Sequence, residues 1–296
     1  MDRNTFLKKG LLGTGMLVAA SAGASVLQNN IDELEPLHPQ LADPNIGFNH
    51  LPNNIDKMEE NYVLHEASTR GGADHGWLKT RHTFSFAQYY NPERMHFGVL
   101  RVLNDDHIQG GTGFGTHPHD NMEIVSIPLQ GALRHKDSMG NAAVIAEGDI
   151  QVMSAGTGIQ HSEYNNDSAA DCRFLQIWIF PNKKNVTPRY DQLTLKREDR
   201  LNQWQQILSP NADDEGVWIH QDAWFHLTNL DSNKVLNYNL KKAGNGVYFF
   251  LLSGEVVVNG KVLKSRDGLG AWNQDQFVVE SNQDAELLVM EVPMTI

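Results

Sequence analysis

Residues 111–131 have the sequence GTGFGTHPHDNMEIVSIPLQG, and this stretch decides how the rest of the chain is interpreted. His117 and His119 flank Pro118, and because side chains alternate along a β-strand, both imidazoles point the same way, with Glu123 continuing the line. Proline cannot donate a ladder hydrogen bond, which predicts an edge, a bulge or a barrel mouth here. Two imidazoles at this spacing can bind one metal ion, although an isolated His-x-His is also typical of an ordinary surface pair.

A second pair strengthens the metal hypothesis. In SAGTGIQHSEY, residues 154–164, His161 and Glu163 again stand two apart behind a glycine-rich turn. A strand carrying this pair beside the first would bring together three imidazoles and one carboxylate. Such a set suits a first-row metal such as iron and leaves positions open for substrate or oxygen. Spacing alone leaves open whether Glu123 or Glu163 supplies the carboxylate.

The sequence around these pairs has the pattern of a β protein. From Tyr62 onward, short apolar runs such as VYFFLLS (247–253) and ELLVMEV (286–292) are separated by Gly, Asn and Asp turns. LSGEVVVNGKVL (252–263) predicts a hairpin turning at Asn259-Gly260. A similar turn-and-strand pattern at 128–149 lies roughly 120 residues earlier, which suggests two related barrels or sandwiches joined near 180–192.

Composition narrows the possible functions. The chain has 296 residues, 40% hydrophobic and 20% charged, which is enough sequence for two ordinary cores. Its net charge of −12, without a basic block, argues against nucleic acid as a direct ligand. Cys172 is the only cysteine, so an internal disulfide is excluded and any metal must be held by His, Asp or Glu.

The N-terminus is interpreted as a targeting signal. Residues 1–25 combine a basic start, an apolar run and small residues suited to signal-peptide cleavage, which predicts export, with the periplasm as destination. RNTFLK resembles the twin-arginine export motif, but Asn4 stands where the second arginine belongs, which leaves the route open. If the leader does not function, a cytoplasmic location follows. Residues 26–60 are polar and predict a spacer or extended arm, and no other apolar run approaches the length of a membrane span.

The spacing also matches a family. GTGFGTHPHDNMEIVSIPLQG resembles the first cupin motif, and GDIQVMSAGTGIQHSEYN (148–165) resembles the second motif in the form that pirins use. The likeness to pirins, and to bacterial pirin-like quercetinases, continues through HGWLKTRHTFSFAQYY (75–90) and QIWIFP (176–181). It implies an all-β bicupin with two jelly-roll-like β-barrel domains, which we place at 61–186 and 187–296.

The resemblance also implies the site. One mononuclear iron(II) would be held in the N-terminal barrel by His117, His119, His161 and Glu163, with manganese, nickel, cobalt, copper or zinc as alternatives. Glu123 then becomes a neighbour rather than a ligand. The C-terminal barrel is expected to be metal-free.

The implied activity is a dioxygenase reaction. A monomer would use O₂ to open the heterocyclic ring of a flavonol such as quercetin, with Glu163 also acting as general base. Two alternatives remain: a non-enzymatic metal- or redox-responsive binding or partner protein, and a storage-like cupin with an empty barrel.

Several other residues are assigned structural roles. His135, in the sequence RHKD, could orient a ligand, but we interpret it as a strand-end histidine hydrogen-bonded at the surface. His75 and His82 flank aromatic residues in a segment expected to build the barrel edge or rim. Cys172 is expected to be a buried, inert thiol because no base stands beside it in the sequence.

Overall fold

A computed structural model describes residues 61–296. The predicted leader (1–25) and spacer (26–60) lie outside the described residues, so export stays a prediction. Between residues 61 and 296 the chain forms β-strands and two short 3₁₀ helices, Ala67–Thr69 and Arg197–Arg200, without an α-helix. In this part of the chain we find no helix with the length and apolar character needed to cross a membrane.

The strands of this region are numbered in chain order. They are β1 Tyr62–His65, β2 Gly71–Asp74, β3 Leu78–His82, β4 Leu100–Ile108, β5 Gly113–His119, β6 Glu123–Gln130, β7 Ala132–Asp137, β8 Ala142–Ala146, β9 Asp149–Ser154, β10 Ile159–Asn165, β11 Cys172–Ile179, β12 Arg189–Thr194, β13 Gln205–Ser209, β14 Val217–Trp218, β15 Trp224–Leu230, β16 Val235–Asn239, β17 Asn245–Ser253, β18 Glu255–Val258, β19 Lys261–Lys264, β20 Gly268–Ala271, β21 Gln276–Ser281 and β22 Ala285–Pro293.

These strands build two barrels, each made of a seven-stranded and a four-stranded sheet. The first barrel combines the order β12-β9-β6-β11-β4-β3-β2 with β5-β10-β7-β8. The second combines β1-β20-β17-β22-β15-β13-β14 with β16-β21-β18-β19. Non-consecutive neighbours in every sheet are typical of jelly-roll connections. The predicted all-β, two-barrel architecture is confirmed.

The hairpin predicted at Asn259-Gly260 is also present. Strands β18 and β19 pair antiparallel, and Val258 stands opposite Lys261 across the turn. Asn259 and Gly260 have φ values of 45° and 81°. A type I′ turn requires this left-handed backbone at both central positions, which is why Asn-Gly is favoured there.

One edge strand of each barrel comes from the half of the sequence that forms the other barrel. Strand β1 pairs with β20 of the second barrel, with Tyr62 opposite Ala271. Strand β12 pairs with β9 of the first barrel, with Arg189 opposite Ser154. Both pairings cover a sheet edge that would otherwise expose unpaired backbone groups. The domain boundary predicted between residues 186 and 187 stays a prediction, and β1 and β12 each pair with a strand on the other side of it.

Alternation along β17 shows how the barrels share a core. Side chains of Val247, Phe249 and Leu251 belong to an apolar cluster inside the second barrel. The side chains between them, such as Tyr248 and Phe250, point the other way. They join an apolar cluster that contains residues of both barrels, including Leu100 and Phe225. A strand buried on both faces needs apolar residues at every position, which explains the continuous run VYFFLL.

Candidate metal centre

The four-stranded sheet of the first barrel places the predicted ligands beside one another. Strand β10 lies next to β5, and His161 stands directly opposite His117. The register then shifts between His161 and Glu163, so that Glu163 stands opposite Phe114. Such a bulge re-aims side chains, and bulges are common beside functional sites. The two sequence pairs therefore meet across a single ladder.

Three histidines form a compact group. The ring centroids of His117 and His161 are 4.4 Å apart, and each ring lies 4.9 Å from that of His119. One ring nitrogen from each residue lies within 4.8 Å of the other two. This arrangement matches three same-face imidazoles aimed at one ion, which is what the alternation along β5 and β10 predicts.

Local contacts orient two of these rings. The Nδ1–H of His117 donates to the Gly115 carbonyl at 2.7 Å, which leaves Nε2 free as a ligand atom. His119 packs edge-to-face against Trp178 at 4.9 Å, and burial lowers the pKa of His119 to about 3. The His119 ring is thus presented in the form that binds metals, because a metal ligand must be a neutral imidazole.

His161 provides the clearest sign that a metal fits. Its side chain is 2% exposed, and neither ring nitrogen has a hydrogen-bond partner. Burial, followed by the charges of His117 and His119, keeps the pKa of His161 well below its usual value. A buried, unpartnered imidazole is costly unless something satisfies it, and a cation held with the two neighbouring rings would do so.

Glu163 lies beside this group and is held by other residues. It is buried, and its carboxylate accepts one hydrogen bond from Ser126 Oγ at 3.0 Å and one from Gln176 Nε2 at 2.9 Å. Its oxygen belongs to a second group, with ring nitrogens of His135 and His161. The four predicted ligands therefore fall into two overlapping groups that share His161.

His135 corrects one prediction. The expected surface histidine is fully buried, its ring lies 5.4 Å from that of His161, and its Nδ1 has no partner. Its Nε2 lies 3.2 Å from Asp137 Oδ2, at hydrogen-bond distance. The physical reason is alternation along β7: Arg134 and Lys136 are exposed, so His135 between them faces inward. The charged neighbours were the signal that could have revealed this position.

Glu123 belongs to neither metal group of the part of the chain that the structure describes. Its carboxyl accepts a hydrogen bond from Ser154 Oγ at 2.6 Å, and burial raises its pKa to about 7. This environment suits the structural role that the pirin resemblance implies for it.

Two further expectations can be checked directly. Cys172 is buried, and burial raises the pKa of its thiol to about 11, which confirms an inert side chain. His82 is also buried, with Nδ1 2.8 Å from Asn104 Oδ1, and it lies on β3, next to the edge strand β2, which suits the structural role expected for it.

The second barrel contains its own buried polar cluster. The hydroxyl of Tyr238 donates to Glu291 at 3.0 Å, and Asn245 Nδ2 donates to the same carboxylate at 2.9 Å. The backbone N–H groups of Lys241 and Lys242 complete its partners. A carboxylate with four donors fixes the turn before β17.

Fold and site together define a metal-binding cupin protein with two barrels. Residues 63–179 match the family model described as Pirin, and residues 206–292 match the quercetinase C-terminal cupin domain. The chain belongs to the pirin family.

Individual relatives cover the same region. The chain is 42% identical to quercetin 2,3-dioxygenase of Escherichia coli K12 over 230 residues, 78% of this chain and 98% of that protein. It is 40% identical to a pirin-like protein of Caulobacter vibrioides over 222 residues, 75% of this chain and 95% of the relative. The crystal structure of the bacterial pirin YhhW from Escherichia coli in complex with nickel(II) matches with a TM-score of 0.75 at 40% identity, covering 79% of this chain and all of that one.

Proposed function

We propose that this protein is a metal-dependent dioxygenase that opens the ring of a flavonol, or of a related enol or catechol, with O₂. The three-histidine group, with both His161 nitrogens buried and unpartnered, is the observation that carries the proposal. A relative that this chain covers over 98% of its length is named quercetin 2,3-dioxygenase, and a matching structure contains nickel(II).

In this proposal His117, His119 and His161 hold the metal, and Glu163 is the fourth ligand. Iron(II) is the proposed ion, while manganese, nickel, cobalt, copper and zinc also suit nitrogen and carboxylate donors. The metal would supply a Lewis acid that binds the substrate's enol oxygen and a site for O₂.

The chain's own residues do the remaining work. The Glu163 carboxylate, with an oxygen within 4.8 Å of a ring nitrogen of His161, would accept the proton that a substrate hydroxyl loses. Trp178 packs against His119 and is 9% exposed, so it forms an apolar wall beside the ligand group. Its indole Nε1–H has no partner and remains available to donate to a substrate oxygen.

Metal content and substrate chemistry test the proposal in sequence. Wild type should bind one equivalent of metal, His117→Ala should lose it, and His75→Ala, which changes an exposed histidine, should keep it. Anaerobic quercetin should shift its absorption on addition to the iron-loaded protein, and oxygen should then consume it. Absence of turnover by the iron-, manganese-, nickel- and cobalt-loaded forms would overturn the dioxygenase proposal and favour a binding role.

A further inference from the structure

Two polar side chains reach across the first barrel to Glu163. Ser126 on β6 and Gln176 on β11 stand directly opposite each other in the seven-stranded sheet, whereas Glu163 belongs to the four-stranded sheet. Ser126 is 0% and Gln176 8% exposed, so the contacts form away from bulk water. Charge-assisted hydrogen bonds in such surroundings are stronger than neutral ones in water.

The two donors engage both carboxylate oxygens. Ser126 Oγ donates to Oε1 of Glu163, and Gln176 Nε2 donates to Oε2. The carboxylate thereby stays in the group that contains His135, which stands directly opposite Glu163 on β7. The four residues do not form one group in which every ligand atom lies within 4.8 Å of the others, so the carboxylate has to shift for either oxygen to join the three histidines.

We propose that Ser126 and Gln176 are positioning residues that hold the Glu163 carboxylate on the His135 side of His161, in competition with a metal bound by the three histidines. The proposal rests on the metal site put forward above. Its consequence is a weakened fourth ligand: the protein gives up metal affinity and keeps a coordination position accessible to substrate.

The sign of a change in metal affinity separates this role from an ordinary supporting one. Partners that orient a bound ligand strengthen metal binding, and their removal typically weakens it roughly 10–100-fold. Donors that hold the ligand away from the metal have the opposite effect. Removing one such donor from a buried carboxylate should tighten metal binding about tenfold.

The experiment measures cobalt(II) and nickel(II) affinity of the full-length protein by competition with a chelating dye. Ser126→Ala and Gln176→Leu should each bind about tenfold more tightly than wild type. Entry of the carboxylate should also change the visible absorption of bound cobalt(II). Ser126→Thr retains the hydroxyl and should restore wild-type affinity.

Matched controls exist on the neighbouring strand β9. Ser154→Ala removes a hydroxyl that donates to another buried carboxylate, Glu123, and should leave affinity unchanged. Gln151→Leu removes a buried amide that stands opposite Ser126 and whose Nε2 has no partner, and it should also have no effect. Adding Glu163→Gln to Ser126→Ala should abolish the gain, because the freed carboxylate is then absent.

The failures can be told apart. Unchanged or weaker binding by Ser126→Ala, in a protein whose wild type binds metal, overturns this inference and leaves the proposed site intact. No binding by wild type overturns both. If Gln176→Leu does not fold, the comparison of Ser126→Ala with Ser126→Thr still decides.

Discussion

Glu163 and His135 stand directly opposite each other on adjacent antiparallel strands, both buried inside the first barrel. This pairing places a fifth titratable residue beside the four that the sequence motifs indicate. Asp137, whose side chain is fully buried, engages the Nε2 of His135 and stands opposite His161. The polar part of this sheet's inner face therefore extends beyond the predicted ligands to His135 and Asp137.

The first prediction concerns His135. His135→Ala should lower the free energy of unfolding by about 2–4 kcal/mol, because it leaves a cavity and removes one hydrogen-bond partner of the buried Asp137 carboxylate. Metal content should stay at the wild-type level, since the three-histidine group is untouched. Urea denaturation and elemental analysis measure the two effects. Lys136→Ala, at the exposed neighbouring position, should change stability by less than about 0.5 kcal/mol. Loss of metal equal to that in His117→Ala would instead make His135 a ligand.

The second prediction concerns Glu163 as proton acceptor. Glu163→Gln should reduce kcat roughly 10²–10⁴-fold, the usual contribution of general-base catalysis. Glu123→Gln is the matched control, because it changes another buried carboxyl of the same barrel that lies outside both metal groups. Steady-state oxygen consumption with quercetin gives the comparison. Equal losses in the two variants would contradict a specific role for Glu163.

A third prediction follows from the unpartnered indole of Trp178. Trp178→Phe keeps an aromatic ring against His119 but removes the N–H donor. If that donor binds the substrate, KM should rise about tenfold with little change in kcat, the signature of lost uniform binding. Trp204→Phe removes an indole N–H that donates to a backbone carbonyl in the second barrel, and should leave KM unchanged. A wild-type KM for Trp178→Phe would remove this residue from substrate recognition.

The fourth prediction concerns acid stability. Burial lowers the pKa of His65 to about 4, below its ordinary value of 6.5. Above pH 6.5 the ring is neutral in both the folded and unfolded protein and contributes nothing. As pH falls from 6.5 towards 4, the unfolded chain binds a proton that the folded protein does not, so stability is lost, by at most about 3 kcal/mol. His65→Gln should flatten this part of the pH–stability curve measured by urea denaturation. The same slope in wild type and variant would show that other groups cause it.

Much of the fold could be predicted from local patterns. Period-two alternation and the Asn259-Gly260 turn depend on only a few neighbouring residues, so strands and this hairpin can be predicted from the sequence. The pairing of β1 with β20 joins residues roughly 200 positions apart, and nothing in YVLH indicates its partner. Long-range strand order depends on which apolar faces meet, which local periodicity does not specify.

The candidate metal site, too, could be predicted only in part from local patterns. His117, His119 and His161 could be predicted because their spacing puts them on two inward faces, and the structure brings them together. The environment of Glu163 could not be predicted, because its hydrogen-bond donors, Ser126 and Gln176, lie on strands that come near it only when the barrel closes.

The strands exchanged between the barrels bear on how this protein can be divided. A cut at the predicted boundary between residues 186 and 187 would separate Arg189–Thr194 from the sheet it completes and leave Tyr62–His65 attached to the wrong half. Each fragment would carry an orphan strand and lack one it needs. A chimera that takes its second half from a relative should therefore exchange β1 as well. Otherwise both strand pairings between the halves, β1 with β20 and β12 with β9, will join strands from different proteins.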